Sequence, residues 1–129
     1  MNHNPVGWFE IYVDDLARAK SFYETVMGVS LESLPSPEDD GGPPVEMLAF
    51  PMRDDAAGAG GAIVKMDGVS PGGGGTLVYF SCEDCAAEAG RVEAAGGKLH
   101  RPKFSIQPYG FMALAEDTEG NMLGLHSKA

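Results

Sequence analysis

WFEIYVDDLARAKSFYETVMG, residues 8–28, contains one change of period, and that change decides the fold. Phe9, Ile11 and Val13 alternate with Trp8, Glu10 and Tyr12. Period two is the pattern of a strand whose two faces meet different surroundings. Asp14 or Asp15 then offers a carboxylate to the open N–H groups of a helix start. From there Leu16, Ala19, Phe22, Tyr23 and Val26 recur at steps of three and four, an apolar stripe that must cover a sheet. Gly28 ends the helix.

The same order returns 69 positions later, pairing Trp8 with Leu77, Asp15 with Asp84, Ala17 with Ala86, Glu24 with Glu93 and Gly28 with Gly97. Val78, Phe80 and Cys82 form one face of a second strand, Asp84 is its helix cap, and the periodicity predicts a helix to Ala95 ended by Gly96-Gly97. Three short strand candidates follow each helix, at 29–33, 45–51 and 61–66, then at 97–100, 109–115 and 121–126. Each half therefore reads βαβββ. The expectation is one domain over 1–129, with modules at about 5–69 and 76–129 joined by Ser70-Pro71-Gly72-Gly73-Gly74-Gly75. That linker lacks the Lys-Ser/Thr and the helix of a phosphate loop. A second turn-rich segment, Leu34 to Pro44, with prolines at 35, 37, 43 and 44, reads as a surface loop.

Composition sets the outer limits. With 43% hydrophobic and 22% charged residues in 129, the chain is an ordinary globular sequence. A formal charge of −10 opposes a phosphate backbone, and with no basic stripe nucleic acid is not an expected partner. No apolar run approaches the ~20 residues of a spanning helix, so no membrane partner is expected. Met1-Asn2-His3-Asn4-Pro5 lacks the regions of a signal peptide, so a cytoplasmic location is expected. Cys82 and Cys85 form a C-x-x-C pair, but the first cysteine closes a strand instead of opening a helix, and no second pair completes a zinc site. A buried cysteine beside a helix start is the expected role.

The strand Phe9-Glu10-Ile11-Tyr12-Val13-Asp14-Asp15-Leu16, the helix with Phe22-Tyr23-Glu24 and Met27-Gly28, and the closing Asp117-Thr118-Glu119-Gly120-Asn121 arrive in an order that resembles the vicinal oxygen chelate superfamily. This is the glyoxalase, bleomycin-resistance and extradiol dioxygenase group, and the resemblance spans nearly the whole chain. It implies an α+β fold, two βαβββ modules whose curved mixed sheets form a cup, and a homodimer. Metal-dependent members carry a ligand near the start of each half's first strand and a carboxylate on its last. By that pattern the ligand positions here are Trp8, Leu77, Gly124 and Val64, or Lys65 on a register one residue longer. None offers a divalent ion a usable lone pair. No metal and no other cofactor is expected, although a two-residue slip would bring Glu10 into the site.

The alternation separately predicts which side chains face the cup. Phe9/Ile11/Val13, Val78/Phe80/Cys82 and Leu123/Leu125 are uniformly apolar and should lie against the helices. The opposite faces carry Trp8, Glu10, Tyr12, then Leu77, Tyr79, Ser81, then Met122, Gly124, His126. Aromatic walls with a few polar groups describe a small-molecule site, and equally a surface that meets solvent or a partner. Trp8, Tyr12, Tyr79 and Met122 are the candidate ligand-binding residues, and Glu10 and His126 the candidate catalytic ones, as base and as acid or anchor. The functions in contention are a metal-free small-molecule binding protein, a metal-dependent or Glu-based lyase, isomerase or dioxygenase, and a structural dimer.

Overall fold

The computed structural model describes residues 3–37 and 44–129. The central part of the expected Leu34–Pro44 loop lies outside the described residues. The chain divides into two compact units, Trp8–Thr76, and Leu77–Ala129 together with the residues up to Gly7. Both units have the βαβββ order.

In the first unit β1 (Val6–Tyr12) leads to α1 (Leu16–Met27), followed by β2 (Glu32–Leu34), β3 (Val45–Ala49) and β4 (Gly60–Met66). Asp15 is the cap: its Oδ1 accepts the Arg18 N–H at 2.9 Å, satisfying a donor the helix cannot. Gly28 closes the helix at φ 67, where a side chain would be strained. β2 pairs with β3 and β3 with β4, both antiparallel, while β4 returns parallel to β1. Phe9 pairs with Gly61, and its ring occupies the space a Gly61 side chain would need. Phe9 then meets Phe50 at 5.7 Å, and Phe50 meets Tyr23 of α1 edge-on at 5.5 Å. The Phe9 face is thus the helix-covered one, as its alternation predicts.

The cover is incomplete. Phe22, Val26 and Met27 remain more than half exposed, and no residue of α1 is fully buried. The other face of the sheet is covered too, with Met47, Ala49, Ala62 and Val64 all buried.

The second unit repeats the plan with β5 (Thr76–Ser81), α2 (Cys85–Ala89), β6 (Lys98–Ser105), β7 (Phe111–Glu116) and β8 (Met122–Ser127). β5 pairs parallel with β8, which pairs antiparallel with β7, and β7 with β6. Asp84 caps α2 through Ala86 N–H at 3.0 Å. Cys85, Ala89, Ala113 and Leu125 form the buried cluster, flanked by Phe80, Cys82, Leu99, Phe111 and Leu123. Phe80, Cys82, Leu123 and Leu125 are side chains the alternation assigns to the helix side, whereas Val78, assigned with them, lies outside the cluster and is exposed.

Element bounds need correction, beginning with the strand expected at 29–33, which forms as Glu32–Leu34. The helix expected to reach Ala95 ends at Ala89, and residues 91–96 continue as turns. Gly90 at the break is a poor helix former, and residues 92–95 place only Val92 even partly inward, so packing does not rescue the second half. The strand expected at 97–100 runs on to Ser105, because its antiparallel ladder with β7 reaches Ser105↔Phe111 through two irregularities.

Candidate functional site

Alternation along β1 places Trp8, Glu10 and Tyr12 on the face away from α1, and there the three side chains are joined. Trp8 Nε1 donates to Glu10 Oε2 at 3.1 Å and the Tyr12 hydroxyl donates to Glu10 Oε1 at 2.7 Å. All three are half-buried. Two donors on one carboxylate hold it in one orientation. The neighbouring strand supplies a small apolar floor, since Trp8 pairs with Gly60, Glu10 with Ala62 and Tyr12 with Val64. A Cβ at Gly60 would press on Met52 and approach the Trp8 ring, so the glycine leaves that floor open to the indole.

In the second unit Tyr79 is buried, and its ring lies over Gly124, its partner on β8. Met122 is half-buried opposite Glu116 at the start of β8. His126 is half-buried between Ser81 and Met112 in the ladder, with Nε2 2.5 Å from the Tyr109 carbonyl oxygen. This contact holds the imidazole by its edge. His126, Gln107, Pro108, Tyr109, Gly110 and Lys128 line a shallow depression of about 350 Å³. A second depression of similar size lies over α1, lined by Val13, Asp14, Asp15, Arg18, Phe22, Tyr23 and neighbours. Sequence alternation does not find either one, because both are built mainly from loop and helix-surface residues.

The β-ladder corrects one further assignment. Glu10 and Tyr79 are equivalent by the repeat, and their parallel partners are Ala62 and Gly124. The first-half counterpart of Gly124 is therefore Ala62, and neither Val64 nor Lys65 holds that place. Alanine offers no donor either. Among the described residues no three His, Cys, Asp or Glu side chains come together in a way that could hold a metal ion. Glu10 is engaged by an indole and a phenol, and Trp8, Leu77, Ala62 and Gly124 bring no ligating atoms. This donor set does not fit a divalent cation.

Cys82 Sγ lies 3.6 Å from the Phe80 carbonyl, and burial pushes its thiol up to about 11, with nearby Glu88 adding to the shift. A thiol held protonated is a poor nucleophile. Burial also raises the Tyr109 phenol.

The chain belongs to the Glyoxalase/Bleomycin resistance protein/Dioxygenase superfamily, whose profile matches residues 6–125. Among solved structures it is similar to a variant of Streptomyces coelicolor methylmalonyl-CoA epimerase in complex with 2-nitronate-propionyl-CoA, at TM-score 0.65 and 15% identity, covering 96% of this chain and 94% of that one. The methylmalonyl-CoA epimerase of Mycobacterium tuberculosis gives TM-score 0.62 at 15% identity, covering 97% and 88%. An uncharacterized Methanosarcina mazei protein gives 0.59 at 14%, covering 98% and 95%. At these identities the likeness is one of fold. Among curated proteins none matches significantly in sequence. No helix of the described residues is long and apolar enough to cross a membrane.

Proposed function

We propose that this chain is a small-molecule binding member of its superfamily that works without a metal ion, with Trp8, Glu10 and Tyr12 as its ligand-contacting group. The observation that carries the reading is the oriented Glu10 carboxylate between two aromatic residues on the sheet face opposite α1. An aromatic wall supplies apolar contact, and a fixed anion selects ligands that bring a cation or a strong hydrogen-bond donor. The net charge of −10 favours the same class of ligand. In the second unit, taken by itself, Met122 and His126 stay candidate contacts, whereas the buried Tyr79 is taken up by packing on Gly124.

Trp8 is the only tryptophan, so its emission reports directly on this site. Titration with cationic, aromatic and thiol-conjugate compounds should perturb that emission for at least one class, and Trp8→Leu should weaken the same binding. Indifference of the emission to all three classes refutes the assignment.

A second reading, a lyase or isomerase using Glu10 as base, draws support from the same carboxylate and from the epimerases among the structural relatives. Glu10→Gln separates the two. The amide oxygen can still accept from Trp8, and the Tyr12 hydroxyl can turn to accept from the amide, so packing survives without the charge. Lost affinity for a cation marks an anchor, whereas retained affinity with lost turnover marks a base. The homodimer expected from the sequence stays a proposal, supported by apolar surface such as Phe22, Val26 and Met27 left uncovered in one chain. Sedimentation at micromolar concentration decides it.

A further inference from the structure

Gly124 stands on β8 where the superfamily's pattern would place a carboxylate, and the reason it is glycine lies in one neighbour. Its backbone does not require glycine, since it is absent from the positive-φ positions. A Cβ built there would instead fall 2.3 Å from Tyr79 Cδ2, 2.5 Å from Cε2 and 2.8 Å from Cγ. These are atoms of the ring's body, among them Cγ, the ring atom bonded to Cβ, so the ring cannot step aside by bending a flexible tip. Tyr79 itself is 6% exposed, which leaves it little room to swing outward.

The equivalent pair in the first unit is Glu10 with Ala62, where a Cβ is present and the carboxylate is held by Trp8 and Tyr12. One plan has therefore been filled in two ways. The first unit keeps a polar group over a small residue, and the second lays an aromatic ring into the space of a missing side chain.

We infer that Tyr79 closes the side-chain position at 124, so that the second unit has not merely lost a metal-ligating carboxylate but has built its core through the place where one would stand. Tyr79 and Gly124 form a single packing unit, and a donor cannot be restored at 124 while the ring remains. This rests on the family and the strand register, and stands whether or not Glu10 binds a ligand.

A four-member thermal-unfolding cycle tests it: the natural protein, Gly124→Ala, Tyr79→Val, and the double variant. Gly124→Ala alone should lower Tm by about 5 °C or more, because backbone and ring must part. In the Tyr79→Val background the same change should be neutral or raise Tm, since alanine in an extended strand costs less backbone entropy than glycine. An equal effect of Gly124→Ala in both backgrounds overturns the inference.

Discussion

Asp15 and Asp84, 69 residues apart, perform the same act in the two units: each leaves its strand in an extended conformation and turns a carboxylate oxygen onto the first N–H groups of the helix that follows. Asp15→Ala should cost about 1 kcal/mol of stability, with most of it returned by Asp15→Asn or Asp15→Ser, which still accept. Urea unfolding of the three variants checks this. Asp84 carries an additional duty, because Lys103 of β6 donates to it at 2.9 Å. Asp84→Asn should therefore keep the cap and lose the ion pair, and added salt should narrow its difference from the natural protein.

Asp117 organises the turn before β8, accepting Asn121 N–H at 2.9 Å, Asn121 Nδ2–H at 3.0 Å and Glu119 N–H at 2.8 Å. These bonds, that of the Asn121 backbone foremost, hold its carboxyl below the usual carboxylate value. A depressed folded value means the stabilisation is present above the unfolded value and is lost as pH falls through the folded one. Asp117→Ala should be less stable than the natural chain at pH 7, and the gap should shrink towards pH 2 in a denaturation series.

The two cysteines should differ sharply. Cys85 is fully buried among Ala89, Ala113 and Leu125, so Cys85→Ser places a hydroxyl in an apolar cluster and should cost about 1–3 kcal/mol. The sequence assigns the packing role to Cys82, and the structure gives the larger share to Cys85. Cys82→Ser should be mild. With its thiol raised to about 11 from 9.0, Cys82 should react slowly with iodoacetamide at pH 8 and quickly once the chain is unfolded in urea. The raised value adds stability below about pH 9 that is lost as pH climbs through 11.

Removing one donor from the carboxylate should be felt at Glu10. Tyr12→Phe deletes the 2.7 Å bond and should cost about 1.5 kcal/mol or somewhat less at this half-buried position. The emission of Trp8, whose N–H shares the same carboxylate, should shift in the folded variant. An unchanged spectrum and unchanged stability would show that the three side chains do not act together.

The local order of elements was legible because period and punctuation are properties of neighbouring residues. The alternation of residues 8–13, the Asp15 cap and the αL glycine at 28 each follow from short-range sterics and hydrogen bonding, and each stands where the pattern puts it. The 69-residue repeat carried those local facts to the whole chain. α2 failed for the converse reason: the repeat implies a long helix, but Gly90 interrupts it and beyond it only Val92 turns partly inward, too little for a sheet to hold.

By itself, then, the sequence determined the βαβββ units, the apolar sides of their strands, and the absence of ligating atoms at Trp8, Leu77 and Gly124. Only tertiary structure decided which residues stand opposite one another. Pairing β4 with β1 and β8 with β5 brings together residues more than 40 positions apart, and a parallel register is set by packing that no local pattern records. That register moved the first-half counterpart of Gly124 from Val64 to Ala62. It also laid the Tyr79 ring into the one gap on β8 that could admit it, because a close-packed interior fills with an atom whatever space a missing side chain leaves.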